Sequence, residues 1–239
     1  MTTEQLERPV ERTLPGGPPV ARRGLAGSAS VRGLRRFAAD ATAVGGPGVA
    51  AVADGIGDSP AAARAARIAA DTAAAVAGRA GSLDAVLAAR DAVRADPEAA
   101  DSVLVVTAGT PDGGWTVSWV GDCRAYLVRA RETVLLTHDH TVAQAFHDAG
   151  LLPVNPSWEH LVTTTVARAD AETTGHVPGP AAGTLVLVSD GVHRSLAPET
   201  IGYLVRRAAT PAAAARDLVD SALLGGSTDN CTATVLATP

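Results

Sequence analysis

Residues 40–55 read Asp40-Ala41-Thr42-Ala43-Val44-Gly45-Gly46-Pro47-Gly48-Val49-Ala50-Ala51-Val52-Ala53-Asp54-Gly55. Two short apolar stretches flank a Gly-Gly-Pro-Gly cluster, which predicts two strands joined by a tight hairpin turn. If 40–44 pairs with 49–53, Asp40 stands opposite Asp54. The second stretch ends on Asp54-Gly55, and the same ending recurs in Val117-Ser118-Trp119-Val120-Gly121-Asp122 and Leu185-Val186-Leu187-Val188-Ser189-Asp190-Gly191. Turn chemistry alone explains any one Asp beside a Gly. Three together suggest more, because a buried strand fixes the point just beyond it and a short Asp side chain keeps its carboxylate near that point.

Outward from this hairpin the texture alternates in blocks. An Ala-rich segment from Ser59 to about Ala77 and another from Ser82 to about Arg94 have helical character, with Ser59-Pro60 and Ser82 as helix starts. Strands are expected at 102–108, 115–120, 125–128 and 133–136, read as an antiparallel meander turned first at Pro111-Asp112-Gly113-Gly114. A helix at about 139–149 ends at Gly150, and residues 151–171 read as an irregular, mobile segment. Strands at 172–178 and 184–189, helices at 198–208 and 211–224, and a last strand at 231–237 complete the chain. Strands in antiparallel runs and helices in pairs disfavour a parallel βαβ sheet and favour packed antiparallel sheets with helices outside. Residues 1–24, with Pro15-Gly16-Gly17-Pro18-Pro19, lack an apolar period and read as a flexible leader to a domain over 25–239.

Composition narrows the function classes. The 239 residues are 46% hydrophobic and 19% charged, which is globular and large enough for a core that needs no metal or disulfide staple. All 20 basic residues are Arg and 50 residues are Ala, read as the bias of a GC-rich genome, so an ordinary Arg or Ala carries little functional weight. The formal net charge is −5 and no Arg tract lies beside aromatics, so nucleic-acid binding is not expected. Apolar runs fall short of the roughly 18 residues that span a bilayer, and Met1 to Val20 lacks a signal-peptide core, so a cytoplasmic, non-membrane protein is expected. Cys123 and Cys231 fit neither a zinc knuckle nor a disulfide framework and read as small core residues. The absence of Lys excludes a P-loop, and no Gly-x-Ser-x-Gly marks a serine hydrolase.

Asp229, in Gly226-Ser227-Thr228-Asp229-Asn230, joins Asp40, Asp54, Asp122 and Asp190 as a candidate. Converging carboxylates cannot all ionise without cations to neutralise them, and an all-oxygen set selects hard Mg²⁺ or Mn²⁺ over zinc. His138-Asp139-His140 lacks the spacing and the third soft ligand of a zinc site and reads as a helix start. His193, two residues past Gly191, is a candidate proton donor to a leaving alkoxide. Arg206-Arg207 read as solvated.

The pieces Val52-Ala53-Asp54-Gly55-Ile56-Gly57, Val120-Gly121-Asp122-Cys123-Arg124-Ala125-Tyr126-Leu127, Leu136-Thr137-His138-Asp139-His140-Thr141, Val188-Ser189-Asp190-Gly191 and Thr228-Asp229-Asn230-Cys231-Thr232, in this order, resemble the metal-dependent protein phosphatases. This is the PPM family of type 2C protein serine/threonine phosphatases, in compact bacterial form. The resemblance covers about 25–237 and implies a four-layer α/β/β/α sandwich of the α+β class, two packed antiparallel sheets flanked by helix pairs. It implies two Mn²⁺ or Mg²⁺ ions, with Asp54 bridging, the Gly55 carbonyl, Asp190 and Asp229 as ligands, and Asp122 beside a third, weaker ion. Arg35 matches the arginine that grips the substrate phosphate, Asp40 the acidic residue near the metal waters, and Asn230 a turn or supporting residue. The activity implied is hydrolysis of phosphoserine and phosphothreonine on phosphoproteins, the substrates of serine/threonine kinases, by a water activated between two metals, in a cytoplasmic monomer. Ala38-Ala39, where the family places polar residues, and the altered 151–171 segment keep a second reading open: a pseudophosphatase that binds phosphoproteins without turnover.

Overall fold

The computed structural model describes residues 26–179 and 182–237; the expected leader over 1–24 lies outside them. Ten strands form two five-stranded antiparallel sheets among the described residues. One sheet runs β2 (Asp40–Val44), β3 (Ala50–Gly55), β4 (Ser102–Gly109), β5 (Trp115–Val120) and β8 (Gly175–Gly179). The other runs β1 (Ala26–Val31), β10 (Cys231–Ala237), β9 (Thr184–Val188), β6 (Arg124–Val128) and β7 (Thr133–Leu135).

Strand alternation explains the layers. Ala50 and Val52 of β3 and Val103 and Val105 of β4 point between the sheets, where they meet Leu185 and Leu187 of β9. Their neighbours Ala51, Ala53, Leu104 and Val106 point outward under α1 (Pro60–Ala80) and α2 (Ser82–Ala95). On the other side Val186 and Val188 lie under α5 (Pro198–Arg207) and α6 (Pro211–Leu224). Central strands are therefore buried on both faces, which is why they read as continuous apolar runs. The four-layer α/β/β/α sandwich is borne out.

The helix starts follow local chemistry, with one correction. Ser59 caps α1, its side chain accepting the amide of Ala62 at 3.1 Å, with Pro60 at the first turn. α2 does start at Ser82, as expected, but Gly81 takes the cap position, and the Ser82 hydroxyl bonds Thr116 at 2.8 Å and Ser118 at 2.9 Å instead of capping. The Ala bias also has a structural use, since Ala62, Ala65, Ala66, Ala69, Ala70, Ala73 and Ala77 form the buried stripe of α1. Small side chains let that helix lie close on the sheet.

The antiparallel meander is corrected as well. β5 pairs with β4 and β8, whereas β6 pairs with β7 and β9, so the chain leaves one sheet and enters the other between Val120 and Arg124. Gly121 makes this crossing at φ +89°, and a Cβ there would lie 2.0 Å from the Val103 side chain. The helix expected over 139–149 is shorter, α3 (Val142–Asp148), because Thr141 takes the cap and accepts the amide of Gln144 at 3.1 Å. A further short helix, α4 (Asp190–His193), opens where a turn was expected. Arg206 and Arg207 are exposed, as expected; Arg206 also reaches the Arg129 carbonyl at 3.3 Å, and Arg207 sits 5.6 Å from the centre of the Tyr203 ring.

Candidate active site

The candidate carboxylates collect at one end of the sandwich because each ends or begins a strand. Asp40 opens β2 and pairs in register with Asp54 of β3, as the hairpin predicted. Asp190 follows β9 and Asp229 precedes β10, two paired strands of the other sheet. Asp122 lies on the crossing between the sheets. Arg35, Asp54, Gly55, Asp122, Asp190 and Asp229 line one cavity of about 150 Å³.

Burial and mutual repulsion dominate the electrostatics. Asp40 is buried, accepts the Ser189 hydroxyl at 2.7 Å on Oδ2, and leaves Oδ1 without a partner. Burial pushes its pKa up to about 7, with Asp190 and Asp229 adding to the rise while the hydroxyls of Ser189 and Thr232 oppose it. Burial also holds Asp54 well above the usual carboxylate range, reinforced by Asp40, Asp190, Asp122 and Asp229. Asp190 is raised by burial, though Arg194 offsets part of that, and its Oδ1 is buried without a partner. Asp122 is pushed to about 7 by burial and by Asp190, against the pull of Arg194.

Arginines meet the charge on the outer carboxylates. Arg35 donates to Asp229 Oδ2 at 2.5 Å, and Arg194 donates to Asp122 Oδ2 at 2.8 Å and lies 3.4 Å from Asp190 Oδ2. Among the described residues, no three His, Cys, Asp or Glu side chains form a ready-made ligand cage. The donor chemistry nevertheless fits divalent cations. Asp54 and Asp190 are half-buried or buried carboxylates that repel each other, and the unpartnered oxygen of Asp190 is a hard donor.

The loop that carries Arg35 is fixed by side chains from elsewhere. Asn230 accepts the Ala39 amide at 2.6 Å and donates to the carbonyls of Arg32 at 2.6 Å and Phe37 at 3.1 Å. Asp58 accepts the amides of Arg36 at 3.1 Å and Phe37 at 2.8 Å, and those bonds hold its carboxyl below the usual range. Leu34 donates its amide to the Thr228 carbonyl at 3.0 Å. Arg35 itself keeps 44% of its side chain exposed, so its guanidinium faces the cavity from a rigid base.

Two residues of this region, Arg194 and His160, carried no expectation, and Asp58, which departs from the family pattern after Gly57, carried none of its role. In a chain with 20 Arg, Arg194 carried no signal, and His160 belongs to no motif. Other candidates lie apart. His193 is buried, donates Nε2–H to the Asp122 carbonyl at 2.9 Å and does not line the cavity, so it is not placed to protonate a leaving group. Asp139 grips Arg124 at 2.7 Å, and His138 pairs with Asp148 at 2.8 Å, which leaves no convergence on zinc. Cys123 and Cys231 are buried free thiols. The 151–171 segment is tied rather than loose chain. Arg194 donates to the Glu159 carbonyl at 2.7 Å, and Asp101 accepts the Thr165 hydroxyl at 2.6 Å and the Ala167 amide at 2.9 Å.

No protein-family model matches the chain, and no curated protein does. Solved structures do. The phosphatase MsPP from Mycobacterium smegmatis, a PPM Ser-Thr phosphatase in complex with cacodylate, is 27% identical with a TM-score of 0.76, over 92% of this chain and 100% of that one. The catalytic domain of the serine threonine protein phosphatase PstP, in complex with two manganese ions, is 27% identical with a TM-score of 0.74, over 88% and 96%. The Mycobacterium tuberculosis phosphatase PstP/Ppp is 25% identical with a TM-score of 0.73, over 88% and 97%. The fold is that of the PPM phosphatase structures, and the structural neighbours are serine/threonine protein phosphatases.

Proposed function

We propose that this chain is a metal-dependent protein serine/threonine phosphatase that hydrolyses phosphoserine and phosphothreonine on proteins. The observation that carries the reading is the convergence of Asp54, Asp190 and Asp229, from both sheets, on a small polar cavity that also holds Arg35. In it Asp54, the Gly55 carbonyl, Asp190 and Asp229 would hold two Mn²⁺ or Mg²⁺ ions. Two such ions supply a water of lowered pKa and neutralise charge on the phosphate.

The chain's own residues do the rest. Arg35 offers the phosphate oxygens a planar fork of donors, a task for which arginine is better suited than lysine. Asn230 and Asp58 fix the loop under it, so little freedom is lost when phosphate is bound. Asp40 does not itself line the cavity; from its place opposite Asp54, its buried, unpartnered Oδ1 would accept a proton from the reacting water through one intervening water. The reaction proposed is direct attack of water on phosphorus without a phosphoenzyme, with the cavity's Asp carboxylates engaged as ligands and not as nucleophiles. The cavity, about 150 Å³, has room for a phosphate group.

The setting proposed is a cytoplasmic monomer acting on phosphoproteins. Its two thiols are free, and no helix among the described residues is long and apolar enough to cross a membrane. Hydrolysis of an aryl phosphate and of a phosphothreonine peptide, measured with and without Mn²⁺, tests the reading, with Asp54→Asn and Asp190→Asn as controls. Mn²⁺-dependent turnover abolished in both variants is expected. Turnover no higher than theirs would sink the enzyme and leave a phosphoprotein-binding module.

A further inference from the structure

We infer that Arg194 is a built-in cation of this site: it takes Asp122 out of the metal ligand set and pins the 3-10 turn Pro156–His160 to the cavity wall. The inference rests on the phosphatase reading for its metal count, but not for the contact itself. Arg194 stands one helical turn after Asp190, at the end of α4, and reaches across to the crossing between the sheets. Its Nη2 meets Asp122 Oδ2 at 2.8 Å and the Glu159 carbonyl at 2.7 Å, its Nε lies 3.4 Å from Asp190 Oδ2, and its Nη1 donates to the His160 ring.

Both partners of the main ion pair are withdrawn from water, Arg194 with 18% of its side chain exposed and Asp122 with 7%. A guanidinium cannot be deprotonated in a protein, so its positive charge is permanent there. A carboxylate bonded to a guanidinium out of water has lost much of its attraction for a second cation, unlike Asp229, whose partner Arg35 is 44% exposed and screened, and a divalent ion placed beside Asp122 would face the guanidinium at close range. The resemblance assigns Asp122 to a third, weaker ion. In this chain the cation at Asp122 is a side chain, and one that also grips the neighbouring segment by its backbone.

Two measurements on the full chain test this. In equilibrium dialysis with Mn²⁺, the wild type is expected to bind two ions and no weak third. Arg194→Gln, of similar size but uncharged, gains a third ion, and adding Asp122→Asn returns the count to two. Arg194→Lys keeps a cation at the site and stays at two. In hydrogen exchange of the metal-free protein, the amides of residues 158–161 exchange at least about tenfold faster in both Arg194 variants, because neither Gln nor Lys can make the same set of bonds.

A third Mn²⁺ bound by the wild type and lost in Asp122→Asn would overturn the inference. An unchanged ion count in Arg194→Gln, or unchanged exchange at 158–161, would overturn it equally. Arg194→Lys retains the charge, so it covers the case in which Arg194→Gln does not fold. A wild type that binds no Mn²⁺ sinks the phosphatase reading and the ion exclusion with it, while the metal-free exchange still decides whether Arg194 holds the turn.

Discussion

Asp40 and Asp54 face each other across the β2–β3 ladder, register partners at the end of a hairpin whose other residues are mostly Ala and Val. Two carboxylates are held together in a place where burial already disfavours ionisation, and both are pushed upward. Such a pair is a cost to the folded chain that a bound cation would offset. Asp54→Asn is therefore expected to raise the stability of the metal-free protein by roughly 1–3 kcal/mol. The same variant should lose the thermal shift that Mn²⁺ gives the wild type. Urea melts in the presence of a chelator, and thermal melts with and without Mn²⁺, check both halves.

Arg35 is tied to Asp229 in a 2.5 Å ion pair, yet its side chain stays nearly half exposed at the cavity. Arg35→Ala should raise KM for an aryl phosphate by about 10- to 100-fold, the scale of a lost charge-assisted hydrogen bond, with Mn²⁺ stoichiometry unchanged. Asp58→Ala, which frees the amides of Arg36 and Phe37, should move KM in the same direction by less. Kinetics identical to wild type in Arg35→Ala would remove its phosphate role.

Asn230 spends its whole amide on three bonds to the Arg35 loop, and it is buried. Truncation leaves the Ala39 amide and the Arg32 and Phe37 carbonyls without those partners, so Asn230→Ala should cost about 2–4 kcal/mol. Asn230→Asp keeps the acceptor but loses both donated bonds, and should fall between. Denaturant unfolding orders the three proteins.

His193 is buried against Asp122, and burial, together with the nearby Arg124 and Arg194, holds its pKa well below the usual imidazole range. In the unfolded chain this residue takes a proton near pH 6.5, while in the folded chain it does not. Stability is then complete above pH 6.5 and falls as the pH drops, by about 1.4 kcal/mol per pH unit until the folded group titrates. Asp40 and Asp122, raised to about 7, act in the opposite sense, their contributions being lost as pH rises through that value. The difference between wild type and His193→Gln isolates the imidazole. Metal-free melts between pH 7 and 5 should converge toward the variant's as the wild type loses its advantage, and parallel pH profiles would contradict the buried neutral histidine.

The parts of this molecule legible in the sequence are those written in local chemistry. Gly45-Gly46-Pro47-Gly48 gave away the hairpin and with it the pairing of Asp40 and Asp54, and Ser59-Pro60 marked the start of α1. The crossing at Gly121 was not legible, because β5 and β6 are separated by only a few residues and neighbouring strands normally pair. That it does not turn back depends on Val103 and on which sheet has room, both long-range facts. At the site, the Asp residues stood out because they ended apolar runs. The roles of Arg194, His160 and Asp58 were not legible, since they come from contacts with residues 34, 72 and 22 positions away.

Of the four carboxylates, Asp40 and Asp54 lie on strands of one sheet, Asp190 and Asp229 stand just beyond strands of the other, and Asp122 sits on the crossing between them. Anything that binds this set also rivets one sheet to the other at the open end of the seam. Ladder bonds run within each sheet and none joins the two, so a slide of one sheet over the other would change the distances across this set while leaving the ladders intact. In the proposed phosphatase, catalytic competence would then depend on how the two sheets are aligned at this end.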